Sequence, residues 1–75
     1  MTKGTGLRRI RESIGATQEG VARRTSLTMG TYRRAESGKP VKYSTAVEIL
    51  RAINNLLTEK GQPMVSLADL ELKLE

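Results

Sequence analysis

The chain of 75 residues has no cysteine, no histidine, no tryptophan and no phenylalanine, and its aromatic residues are two tyrosines. Without cysteine no disulfide can brace the fold, which points to a reducing, cytoplasmic setting. The joint absence of cysteine and histidine removes the usual thiol nucleophiles, general bases and soft metal ligands. No catalytic residue, metal ligand or cofactor is therefore expected, and no small-molecule substrate is evident. With only Tyr32 and Tyr43, the chain lacks the aromatic platforms on which unpaired bases stack, so single-stranded nucleic acid is a poor partner. No apolar run is long enough for a signal peptide or a membrane span, and the segment MTKGTG at residues 1–6 is polar. Its glycines follow no strand and form no phosphate-binding loop. There are no repeats, linkers or low-complexity stretches. Residues 1–75 read as one domain with a small core.

What remains is charge, unevenly placed. Residues 1–42 carry ten Lys/Arg against three Glu, net +7, whereas residues 43–75 carry three against five acids, net −2. A basic half suits a polyanionic partner.

Within that half, residues 17–38, TQEGVARRTSLTMGTYRRAESG, read as two short helices joined by a tight turn. Thr17 can cap the first, Gln18 and Glu19 fill its first turn, and Val21, Ala22 and Thr25 point one way. The turn is Ser26-Leu27-Thr28, with Leu27 plugging the gap between helices. Thr28 caps a second helix from Met29 to Ser37, which Gly38 stops and Lys39-Pro40 blocks. At about 100° per residue, Tyr32, Ala35 and Glu36 share one side and Gly30, Arg33, Arg34 and Ser37 the other. Two arginines with no carboxylate on an outward face suit DNA. A helix pair of this kind places its second helix in the major groove of duplex DNA.

The flanking segments read as support. A first helix runs from Thr5 to Ile14, with Leu7, Ile10, Arg11 and Ile14 on one side, and Gly15 ends it. Ser44 and Thr45 are expected to cap a longer helix, Thr45 and Glu48 standing at capping-box spacing. Its stripe is Ala46, Val47, Ile49, Leu50, Ile53, Leu56 and Leu57. Gly61 and Pro63 end it. Ser66 and Asp69 offer another capping box for a short last helix holding Leu67 and Leu70. Residues 44–75 thus serve packing and are a candidate dimer surface. The tail, Leu70 to Glu75, alternates like a strand. A strand at the end of an all-helical domain has no partner in its own chain and would have to pair with a second molecule. The spacing of Leu67, Leu70 and Leu74 favours instead a continuing helix or a frayed end.

Leu7, Ile10, Arg11, Ile14-Gly15-Ala16-Thr17-Gln18-Glu19, Val21-Ala22, then Leu27-Thr28, Thr31-Tyr32, Ala35-Glu36 and Gly38-Lys39 together resemble the lambda repressor and Cro-type helix-turn-helix family, also called the xenobiotic response element family. The likeness covers about Leu7 to Leu57, and the Arg11, Thr17-Gln18 and Glu36-x-Gly38 spacings carry most of it. It implies an all-α, compact lambda repressor-like bundle of about five helices. It also implies sequence-specific binding of double-stranded DNA by a transcriptional regulator such as a repressor, usually as a homodimer on a two-fold operator. Three positions depart from the pattern. Gly20 stands mid-helix at a cost of roughly 0.5–1 kcal/mol relative to alanine. Ser26 takes a turn position usually held by glycine, where a positive φ would strain it. Thr25 fills a slot that is usually a larger aliphatic.

Candidate contacts follow. Arg34 is the first base reader, since its outward position matches one that touches bases in the family and arginine favours a bidentate contact to guanine. Arg33 is second, for a base or a phosphate. Met29 either meets a thymine methyl or packs near Leu27. Gln18 should bond a phosphate with its amide. Thr28, Lys39, Lys42, Tyr43 and Ser44 are further phosphate candidates. Arg11 and Glu36, opposite charges both aimed at a small core, are expected to pair, as the resemblance also implies. The alternative reading is a protein-interaction module, such as an antitoxin or anti-repressor adaptor, with the stripe of the long helix and the leucine-rich tail carrying a partner.

Overall fold

Each helix is set by its ends. In the computed structural model, which describes residues 5–75, Thr5 Oγ1 accepts from the Arg8 amide at 3.1 Å and opens α1 (Gly6–Ser13). Thr17 caps α2 (Gln18–Ala22) through the Gly20 amide at 2.9 Å, and Thr28 caps α3 (Met29–Glu36) through Thr31 at 3.2 Å. At the end of α3, Gly38 takes φ 86°. Its amide donates to the Ala35 carbonyl at 3.1 Å and the Lys39 amide to Arg34 at 3.0 Å. These are the two bonds of a Schellman end, and they need the left-handed residue that glycine supplies without strain. The same pair of bonds closes α1 after Ile14 and α4 (Tyr43–Glu59) after Lys60. The Ser66–Asp69 capping box opens α5 (Leu67–Leu70) as expected.

The expected all-α bundle of five helices is what forms. α1 packs on α5, α2 on α3 and α4, and α4 on α5. The core is Leu7, Val21, Ala22, Tyr32, Ala35, Val41, Ala46, Ile49, Ala52, Ile53, Leu57 and Leu70, all at most 5% exposed. One close approach had no sequence signal. A Cβ on Gly6 would collide with the Asp69 carbonyl oxygen, so α1 and α5 meet backbone to backbone there.

Four expectations are corrected. The connection from α2 to α3 is six residues, because α2 stops at Ala22. Thr25 Oγ1 takes the Ala22 carbonyl at 2.7 Å and accepts the Leu27 amide at 3.1 Å, replacing the next helical bonds. Ser26 is not strained, since Glu71 is the described non-glycine residue with positive φ. Ser44 and Thr45 do not cap α4. The helix opens at Tyr43, two residues earlier than a Ser44 cap would set it, with Lys42 in the cap position and no side-chain cap bond. Glu48, expected to bond back to Thr45, instead accepts from the Ser26 amide at 2.9 Å and the Ser26 hydroxyl at 2.8 Å, tying α4 to the α2–α3 turn.

The tail is neither a continuing helix nor without a partner in its own chain. Glu71, left-handed at φ 53°, ends α5 and turns the chain. The Val41 amide then donates to Lys73 and the Val41 carbonyl accepts from the Glu75 amide, both at 2.9 Å, in a parallel pairing of Val41 with Leu74. The pairing was hidden because it uses one extended residue, flanked by a proline, rather than a second strand. Asn54 ties down the preceding loop. Its Oδ1 accepts from the Val65 amide at 2.8 Å and its Nδ2 donates to the Val65 carbonyl at 3.1 Å.

Candidate nucleic-acid interface

The back of α3 is held by one carboxylate. Glu36 is 4% exposed and receives four donors. Oε1 accepts from Arg11 Nη2 at 2.7 Å and Gln18 Nε2 at 3.0 Å, while Oε2 accepts from Arg11 Nε at 2.9 Å and the Tyr32 hydroxyl at 2.7 Å. That fills the acceptor sites of an ionised carboxylate. Arg11 spends a further N–H on the Ala16 carbonyl at 2.8 Å, and the Thr5 hydroxyl donates to the Glu36 carbonyl at 3.0 Å. Two helices, α1 and α2, are thus fixed to α3 at a single residue. Burial alone would raise the Glu36 pKa, but the bonds from Arg11, Tyr32 and Gln18 outweigh it and hold the group below its ordinary range. The bond from Glu36 raises the Arg11 pKa, and burial, then Glu36, raises that of Tyr32.

The Gln18 and Tyr32 bonds to Glu36 were not foreseen. Spacing indicated that Tyr32 was buried, but nothing local says that its hydroxyl or the Gln18 amide finds a carboxylate on another turn or helix. Gln18 therefore reaches the surface with one amide N–H committed inward.

The front of α3 carries Gly30, Arg33, Arg34 and Ser37, all exposed. A Cβ on Gly30 would meet nothing closer than Thr28 Oγ1 at 4.0 Å, so packing within the chain does not require glycine there. Met29 is half-buried against the core and also borders a cleft with Gln18 and Arg33. Thr28, Lys39, Lys42, Tyr43 and Ser44 are exposed around the start of α3 and the α3–α4 loop. The Thr28 hydroxyl already bonds Thr31 Oγ1 at 3.0 Å, so a phosphate would have to replace that contact.

Two grooves flank α3. One lies between Arg8, Gln18 and Arg33, the other between Thr28, Arg34 and Lys42. Four arginines outside α3 are paired with acids: Arg8 with Glu12, Arg9 with Glu71, Arg23 with Glu19 and Arg24 with Glu59. Among the described residues, Arg33, Arg34, Lys39, Lys42, Arg51, Lys60 and Lys73 form no ion pair. Four of these seven, Arg33, Arg34, Lys39 and Lys42, stand on α3 and the loop that follows it.

Residues 4–54, more than half the chain, match the family described as "Helix-turn-helix domain". The protein belongs to the helix-turn-helix domain family. That is a DNA-binding fold, with α2 and α3 as its two helices. No curated protein and no solved structure matches the chain. No helix among the described residues is long and apolar enough to cross a membrane.

Proposed function

We propose that this helix-turn-helix protein is a sequence-specific transcriptional regulator of duplex DNA, of the lambda repressor and Cro type, acting in the cytoplasm as a homodimer. The observation that carries the reading is the sorting of charge. The arginines of α1 and of the α2 region are paired with acids, whereas Arg33 and Arg34 project unpaired from a helix whose other side is clamped by Glu36. A rigid helix with free guanidinium groups can present them to base edges in the major groove.

In this reading Arg34 makes the principal base contact, bidentate to guanine, and Arg33 contacts a base or a phosphate. Met29 adds an apolar contact to a thymine methyl. Gln18, Thr28, Lys39, Lys42, Tyr43 and Ser44 grip the two flanking phosphate chains. Residues 1–75 act as one domain.

The test is selection of bound duplexes from a random pool, followed by sequencing. The expected result is a two-fold site whose half-sites lie about 34–36 Å apart, one helical turn. Binding should also fall steeply with salt. A pool without enrichment, or binding indifferent to salt, overturns the reading in favour of a protein-interaction module.

A further inference from the structure

The last five residues have no part in the contacts just described, yet they lie among them. Val41 sits at the centre of the loop that carries Lys39 and Lys42. It follows Pro40, which has no N–H, and it precedes Lys42, whose carbonyl accepts the Ala46 amide at 3.0 Å and so starts α4. Val41 is 5% exposed, and both its backbone groups are taken by the tail, through the Lys73 carbonyl and the Glu75 amide. Residues 71–75 are therefore a strap that fixes the position of the loop.

The strap also delivers a charge. Glu75 borders the same groove as Thr28, Arg34 and Lys42, a space of about 380 Å³ beside the front of α3. Its carboxylate is the one acid among the residues that border this groove. It forms no ion pair with Arg34 or Lys42 among the described residues. A phosphate drawn to those two cations would share the groove with it.

We propose that the strap is part of the DNA surface: its backbone sets the α3–α4 loop, and the Glu75 carboxylate weakens the grip of the groove on duplex phosphates. This rests on the duplex-binding reading above. Like charges sharing a groove repel across a few ångströms of partly screened solvent, and the repulsion acts on every duplex alike, because phosphate carries no sequence. Glu75 thus lowers affinity without lowering discrimination, and in proportion raises the share of binding that comes from base contacts.

Glu75→Gln removes the side-chain charge and keeps the backbone N–H to Val41. Glu75→Pro removes both. Each is titrated by fluorescence anisotropy against the selected duplex and a scrambled one, at about 50 mM and about 200 mM salt, with a thermal melt alongside. For Glu75→Gln the expected result is a gain of about three- to tenfold on both duplexes at the lower salt, a smaller gain at the higher salt, and an unchanged melt. Glu75→Pro should bind more weakly than Glu75→Gln, because the loop is released. If the parent binds duplex DNA and Glu75→Gln binds no more tightly, the strap proposal falls and the DNA reading stands. If the parent binds no duplex, both fall.

Discussion

Replacing Glu36 with alanine should be the most damaging single change in the domain. The substitution removes both acceptor oxygens from four donors at once. It leaves the Arg11 guanidinium, 12% exposed, charged and without its partner. Breaking a buried pair in this way costs about 3–5 kcal/mol. Some water reaches Arg11, which favours the lower end, while the Tyr32 hydroxyl loses its acceptor in a fully buried position. A net loss of about 3 kcal/mol is a large part of the roughly 4–11 kcal/mol that a chain of this length commands at about 0.05–0.15 kcal/mol per residue. In a domain of this size each kilocalorie is worth about 4–8 °C, so the melt followed by circular dichroism should fall by about 12–24 °C. A melt within roughly 2 °C of the parent would falsify the reasoning.

The same pair predicts an acid limit. The folded Glu36 has its pKa held below the ordinary 4.5, so its contribution is fully present above that value and is lost as pH falls through the folded pKa. Melts measured down through the carboxylate range should show a decline in the parent that is smaller in Glu36→Ala.

Gly6→Ala should destabilise by about 1–3 kcal/mol, as overpacking does, although alanine is the better helix former; a melt equal to or above that of the parent would mean that the α1–α5 contact yields. Arg34→Ala should cost about 1–3 kcal/mol on the selected duplex and relax preference at one base pair per half-site. Lys39→Ala should weaken selected and scrambled duplexes equally and reduce the salt slope by about one per bound chain, since its ammonium is a point charge suited to phosphate. If Arg34→Ala weakens both duplexes equally, base reading moves to Arg33 and Met29.

The sequence was legible wherever an element is decided by its neighbours along the chain. Thr17, Thr28 and the Ser66–Asp69 pair cap where their residue types say they should, and glycines close helices where positive φ is needed. The inward side of α3 followed from helical spacing. What the chain hid was the choice among distant partners. Glu48 had a local candidate in Thr45 and a distant one in Ser26, and the turn, whose amide needed an acceptor, won. Ser44 and Thr45 looked like caps, but the strap on Val41 fixes where the loop ends, and the helix begins before them. Glycine at position 6 carried no signal beyond not belonging to a phosphate-binding loop, because its reason lies 63 residues away at Asp69. For the interface, the outward arginines were visible from spacing, but their lack of ion pairs depended on where the acids of α1, α2 and α4 lie in space.

A hydrophobic replacement of the Arg11–Glu36 pair separates stability from recognition. Buried ion pairs can often be exchanged for apolar side chains of similar volume with little loss of stability. Arg11→Met combined with Glu36→Met should therefore recover much of the melt that Glu36→Ala forfeits. It would not restore geometry. The fork of Arg11 on Glu36, with Gln18 and Tyr32 on the same oxygens, fixes α3 in rotation about its own axis, whereas methionine packing is adaptable. Helical side chains extend about 5–6 Å from the axis, so a rotation of roughly 20° shifts an outward group by about 2 Å. That exceeds the roughly 0.5 Å within which a bidentate contact is held productive. The double variant should thus melt close to the parent, keep its salt slope, and lose preference between selected and scrambled duplexes. If it instead discriminates as well as the parent, Glu36 serves only to hold the fold together, and the orientation of Arg34 is set by the apolar contacts of Tyr32 and Ala35.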